Sequence, residues 1–224
     1  MKKIGLAGIL LMILVLTSCD KDERSYSDNF WVTLATVRQA SSTSIFSLQL
    51  DNGLLVWPIE NRVPDFMASS GQRVMINYTL LSDSVSGPQK REIRLNSIGD
   101  VMTKQVIRMT TANKDSIGND PLDIDEIWIG GNYLNVSFFS NGEKIKQAIN
   151  LVYNTTIAAN ADGKTHFELH QNNNGDASGN RNKAIISYDL RSFFQNGVSP
   201  VQIVIEVKNY TGSVTNYLFT YKYN

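Results

Sequence analysis

From Phe30 onward, apolar and polar positions alternate with a period of two, so the chain reads as a succession of short β-strands. Val32, Leu34 and Thr36 alternate with Trp31, Thr33 and Ala35. Phe46, Leu48 and Leu50 share one face, with Ser47 and Gln49 on the other. Asp51-Asn52-Gly53 then supplies hairpin chemistry, because Asn and Gly tolerate positive φ. Leu54 to Trp57 returns, and Pro58 ends that strand or places it at an edge. Val74, Ile76, Tyr78 and Leu80 alternate after Gly71, Ile93 and Leu95 begin another strand, and Val101 to Met109 a further one. This density of short strands predicts a small barrel or sandwich.

The second half repeats the pattern. Leu134, Val136 and Phe138 face one way, Asn141-Gly142 is a strong hairpin signal, and Ile145, Gln147 and Ile149 return. A two-residue turn there would pair Phe138 with Ile145 and Leu134 with Ile149, bringing the apolar faces together. Val201, Ile203, Ile205 and Val207 form the most regular strand, Gly212 turns the chain, and Tyr217, Phe219, Tyr221 and Tyr223 give the last strand an aromatic face. No segment sustains a 3.6-residue period; at most a helical turn lies near Asp189 to Gln195. The polar run Asn113 to Pro121 predicts a domain boundary, dividing the strands into 29–112 and 113–224. A second polar run, Asn172 to Asn182, predicts a long loop.

The start of the chain follows different physics. Lys2 and Lys3 precede an apolar run from Ile4 to Leu16, the length of a signal-peptide core and too short to span a bilayer. Leu16-Thr17-Ser18-Cys19 closes it and resembles a bacterial lipobox, where residues 1–18 are removed and the cysteine is acylated. Cys19 is the only cysteine, so it has no disulfide partner within the chain, and acylation explains a lone thiol in an exported protein. Residues 19–28 read as a tether. Without Lys2 and Lys3, 19 basic residues face 21 acidic ones, a formal charge of −2. That balance lacks the basic excess of a nucleic-acid binder, so the expected partners are the membrane, through the lipid on Cys19, and a glycan or protein ligand.

Two segments bear a family resemblance. Gly71-Gln72-Arg73-Val74-Met75-Ile76-Asn77-Tyr78 lies in the first β region. Trp128-Ile129-Gly130-Gly131-Asn132-Tyr133-Leu134-Asn135-Val136 and Phe167-Glu168-Leu169-His170-Gln171-Asn172 lie in the second. Together with the lipobox they resemble the NigD-like lipoproteins of Bacteroides-type bacteria. The resemblance implies an all-β chain, a small OB-like barrel followed by a β-sandwich, on an outer-membrane lipoprotein. The family takes its name from association with a bacteriocin gene cluster, which implies an immunity role as one alternative. His170-Gln171 departs from the family's more basic pattern at that point. Lys21, Asp22 and Glu23 resemble the acidic surface-export signal of such lipoproteins, which implies the cell surface, with the periplasmic face of the outer membrane as the alternative. Asp83-Ser84-Val85 and Asp115-Ser116-Ile117 resemble the O-glycosylation sequon of these bacteria, making Ser84 and Ser116 candidate modification sites.

Candidate chemistry is sparse. Gly163-Lys164-Thr165 has Ala158 where a phosphate loop needs glycine, so it reads as a turn. No serine-hydrolase elbow is present. His166, Glu168 and His170 would share one face of a strand and offer zinc-type ligands, a metal-dependent enzyme being a second alternative. Asp120, Asp123, Asp125 and Glu126 offer hard oxygens for calcium but lack EF-hand spacing. Trp31, Trp57 and Trp128 are candidate stacking platforms. The expected function is therefore a non-enzymatic binding module without a cofactor.

Overall fold

The computed structural model describes residues 30–40, 46–81, 90–141, 148–155, 162–176, 179–194 and 199–222. Cys19, the export run Lys21, Asp22 and Glu23, and Ser84 lie outside the described residues.

Five strands form the first unit: β1 (Phe30–Ala40), β2 (Phe46–Leu50), β3 (Leu55–Asn61), β4 (Arg73–Leu80) and β5 (Lys90–Asp100). They close into a barrel in the order β1-β2-β3-β5-β4, every pair antiparallel except β3 with β5. The β2–β3 hairpin forms where Asp51-Asn52-Gly53 predicts it. Gly53 takes φ +86°, and the Leu50 N–H donates to the Leu54 carbonyl at 2.9 Å. Alternation fills the interior with Ala35, Val37, Leu48, Val56, Val74, Ile76, Ile93 and Leu95. On β1 the outer residues Leu34 and Thr36 are buried as well, because that face of the barrel meets the second unit.

The second unit is a sandwich. Its strands are β6 (Met102–Gln105), β7 (Ile107–Met109), β8 (Asp123–Gly130), β9 (Tyr133–Ser140), β10 (Ala148–Asn154), β11 (Thr165–Asn172), β12 (Asn182–Asp189), β13 (Val201–Lys208) and β14 (Val214–Tyr221). One sheet runs β14-β13-β11-β10-β7 and the other β6-β12-β9-β8. Between them lie Leu134, Val136, Phe138, Leu151, Phe167, Leu169, Tyr188, Ile203 and Ile205. Edge-on aromatic contacts, such as Phe167 to Phe193 with centroids 4.9 Å apart, close one end. Four-residue helices α1 (Lys114–Ile117) and α2 (Arg191–Phe194) cap turns, the second where a helical turn is expected.

Two sequence expectations change. The strands β6 and β7 belong to the sandwich, pairing with β12 and β10, so barrel gives way to sandwich between Asp100 and Met102 and not at residue 112. The polar run Asn113 to Pro121 is no linker: Ile117 is buried with Met109 and Val152, and Asp120 bridges to Gln171. Leu134 also does not pair with Ile149. It pairs with Ile129 and Tyr188, and Ile149 pairs with Gln171 in the opposite sheet. The two apolar faces do meet, but across the sandwich core instead of across a hairpin.

Candidate functional site

Barrel and sandwich meet along a polar seam. The outer side of β1 and β4 lies against the outer side of the four-stranded sheet. Val74 and Ile76 point into the barrel, so alternation turns Arg73 and Met75 toward the sandwich. Arg73 is 3 % exposed, and its guanidinium grips Asp51 with two nitrogens, at 2.6 and 2.7 Å. It also donates to Thr36, to the Asn135 side-chain oxygen at 3.1 Å and to Ser187, and it stacks 4.5 Å over the Tyr133 ring. Asn135 in turn donates to Asp51 and accepts from Ser187. A buried cation is tolerated here because its donors are engaged in this fork.

The Gly130-Gly131 pair explains how the seam closes. A Cβ on Gly130 would sit 2.7 Å from the Asp51 Cβ and would overlap its carboxylate. Gly131 takes φ +55° in the two-residue turn joining β8 to β9, and its N–H donates to the Asp51 carbonyl. The glycine pair therefore lets one hairpin of the sandwich dock on the β2–β3 turn of the barrel.

Beside this clamp the seam opens into a cleft of about 800 Å³. Val32, Thr33, Leu34 and Met75 form its barrel wall, and Trp128, Ser137 and Ile185 stand opposite with Asp125, Glu126 and Lys183. Asp125 accepts from Lys183 and Ser137, at 2.7 and 2.9 Å. The Lys183 hydrogen bond, then that from Ser137, holds its carboxyl below the usual aspartate range. A general acid needs the opposite shift. On the far side of Asp51 a smaller pocket of about 210 Å³ is lined by Arg38, Gln49, Asn132, Tyr133, Arg191 and Lys222, among others.

The three tryptophans do not assemble into one platform. Only Trp128 lines the cleft; Trp57 is half-buried on β3. Trp31 is 55 % exposed; Phe30 and Val32, exposed on the opposite face of β1, flank it in sequence, and Val32 reaches the cleft wall.

His166, Glu168 and His170 do share a face of β11, opposite Phe167 and Leu169. Their partners correct the metal expectation. His170 places Nδ1 2.6 Å from the Gly118 carbonyl and Nε2 2.6 Å from Glu168. A carbonyl and a carboxylate only accept, so donating to both requires the protonated, imidazolium form of the ring. His166 likewise lies between Glu206 at 2.8 Å and Asp162 at 3.1 Å. Burial alone would lower both imidazoles, but these hydrogen bonds outweigh it and hold both above the ordinary histidine value. In that protonated form neither ring offers a lone pair, and among the described residues no three His, Cys, Asp or Glu side chains form a metal-binding group. The calcium candidates are dispersed too. Asp123 pairs with Arg181, Asp125 with Lys183, and Asp120 accepts from the Asn173 backbone. Ser116 is exposed on α1 and donates to the Asn113 carbonyl.

Sequence reasoning missed the seam. Its sequence signals are the polar residues Arg73, Asn135 and Ser187, which sit among the apolar and polar residues of β4, β9 and β12 without a local pattern that marks them.

Residues 34–101 match the NigD-like N-terminal OB domain, and residues 105–221 the NigD-like C-terminal beta sandwich domain. A protein of unknown function from Bacteroides vulgatus is 32 % identical, with a TM-score of 0.76 over 87 % of this chain and 92 % of that one. A protein named toxin-related from Parabacteroides distasonis is 27 % identical, with a TM-score of 0.72 over 87 % and 94 %. A NigD-like immunity protein from Bacteroides caccae shares the fold at 20 % identity, with a TM-score of 0.67 over 87 % and 97 %. No curated protein matches the chain.

Proposed function

The chain belongs to the NigD-like family, and from that premise we propose that it is an envelope lipoprotein that binds a glycan without transforming it. Acylated Cys19 anchors it in the outer membrane, and Lys21, Asp22 and Glu23 direct it to the cell surface. The observation that carries the reading is the seam cleft. An indole faces apolar side chains there and is ringed by hydroxyl, carboxylate and ammonium groups. An aromatic plane suits the C–H face of a pyranose, and the surrounding polar groups suit its hydroxyls. The cleft does not favour hydrolysis. Glycosidases need one carboxylic acid with a raised pKa, and two of the three carboxylates lining the cleft are unsuited to that role: Asp125 is lowered and Asp51 is clamped by Arg73. Affinity electrophoresis of the full chain in detergent micelles, through gels carrying plant or microbial polysaccharides, tests this. Retardation by at least one polysaccharide, lost in Trp128→Ala, is expected. Unretarded migration in every gel, or release of reducing ends, would overturn it.

A protein ligand is the second reading, favoured by the exposed apolar residues Phe30 and Val32, which share one face of β1. The immunity name of the Bacteroides caccae relative is consistent with it. O-linked glycans on Ser84 and Ser116 belong to the same envelope setting. Unmodified peptides from native-host protein would remove that part.

A further inference from the structure

The smaller pocket of the seam has a charge that the cleft lacks. Arg38, Arg191 and Lys222 line it, with Asp51 as the one carboxylate. Two of these four charges are already matched. Asp51 is held by Arg73, and Arg191 by Asp189 at 2.6 Å. Arg38 bonds only to the neutral Gln49 side chain, and Lys222 has no side-chain partner, among the described residues. The pocket thus carries two uncompensated cations in a chain whose mature formal charge is −2.

Its other groups are those that hydroxyls use. The Asn132 side-chain oxygen accepts from Tyr221, which leaves its amide N–H groups for a ligand. Tyr133 contributes a phenol and Gln49 an amide. About 210 Å³ is more room than a lone tetrahedral anion fills. Asp51 is a wall of both this pocket and the Trp128 cleft, so one extended ligand running along the seam reaches both.

We propose that this pocket holds the anionic group of an acidic sugar, a uronate carboxylate or a sugar sulfate, with Arg38 and Lys222 as the residues that select it. The proposal rests on the glycan reading of the seam and names the class of glycan. Arg38 brings a planar fork suited to an oxyanion, and Lys222 a mobile point charge.

The test pairs probes that differ in charge alone. Oligogalacturonate is compared with its methyl ester, and dextran sulfate with dextran, by calorimetric titration of the full chain in micelles. At least one acidic probe is expected to bind about tenfold more tightly than its neutral match, the scale of one charge-assisted hydrogen bond. The preferred probe identifies the anion as carboxylate or sulfate. That preference is expected to vanish in Arg38→Gln/Lys222→Gln, whose melting temperature serves as the folding control, while residual binding of the neutral probe persists. Equal affinity for acidic and neutral probes, with binding lost in Trp128→Ala, would overturn the acidic preference and leave the glycan reading standing. Binding to no probe would overturn the acidic preference, while the glycan reading stands or falls with the polysaccharide gels. An acidic preference that survives the double substitution would place the anion elsewhere and overturn the role of this pocket.

Discussion

Arg73 of the barrel holds Asp51 through two nitrogens and, with the same guanidinium, reaches Asn135 and Ser187 of the sandwich. One residue thereby ties the β2–β3 turn to the outer face of the second unit. Arg73→Ala removes the cation paired with Asp51 and the donor shared by Asn135 and Ser187, leaving only the weaker Asn135–Asp51 and Ser187–Asn135 hydrogen bonds across that point. Breaking such a buried pair costs about 3 kcal/mol. Urea denaturation of the full chain should show that loss, and Arg73→Lys should recover only part of it, because an ammonium cannot form the fork. A midpoint unchanged in Arg73→Ala would mean that the seam contributes little.

Gly130 makes the docking possible. Gly130→Ala puts a methyl group against the Asp51 side chain, which Arg73 prevents from moving aside. A destabilisation of about 1–3 kcal/mol is expected, typical of overpacking. Gly99→Ala is the control: nothing lies within 4 Å of its new Cβ, so stability should hold within about 0.5 kcal/mol. Equal effects at the two glycines would contradict the close approach.

The Glu168–His170 pair predicts a pH signature. The His170 imidazole is raised in the folded protein, so its stabilisation is complete below 6.5 and is lost as pH climbs through the folded value. Its partner Glu168 is lowered, first by the His170 hydrogen bond, so its contribution is complete above 4.5 and fades as pH falls through the folded value. Glu168→Gln should therefore cost most between pH 4.5 and 6.5, by about 1–3 kcal/mol, and less on either side. A cost independent of pH in thermal melts would rule out the charged pair.

Anchoring is tested in cells. Cys19→Ala should move the protein out of the membrane fraction, because the acyl chains on that cysteine are what hold it there. Continued pelleting with membranes at high salt would contradict acylation at this position. Asp22→Ala with Glu23→Ala should retain the anchor and lower the accessibility of intact cells to an added antibody; unchanged accessibility would remove the export role.

Much of the architecture was legible because alternation and turn chemistry are local. The β2–β3 hairpin could be read from Asp51-Asn52-Gly53, and β13 from Val201 to Val207. Local chemistry failed where partners are distant. Asn141 lies where the chain leaves β9, whose strand neighbours are β8 and β12, while β10 pairs in the other sheet. Turn propensity does not reveal whether a chain folds back in its own sheet or crosses a core. His166, Glu168 and His170 were placed on one face correctly, but their roles depended on Glu206, Asp162 and the Gly118 carbonyl, which alternation along β11 cannot supply. Arg73 was invisible as a clamp because Asn135 and Ser187 are 62 and 114 residues away in sequence.

Glycan recognition at Trp128 is open to direct observation by fluorine NMR of the acylated protein carrying fluorotryptophan at its three tryptophans. Single Trp→Phe substitutions assign the resonances, and the retained polysaccharide, cut to oligosaccharides, is titrated in. The Trp128 resonance should move saturably with ligand while that of half-buried Trp57 stays in place. Saturable binding with the Trp128 resonance unmoved would contradict the assignment of the seam cleft as the binding site.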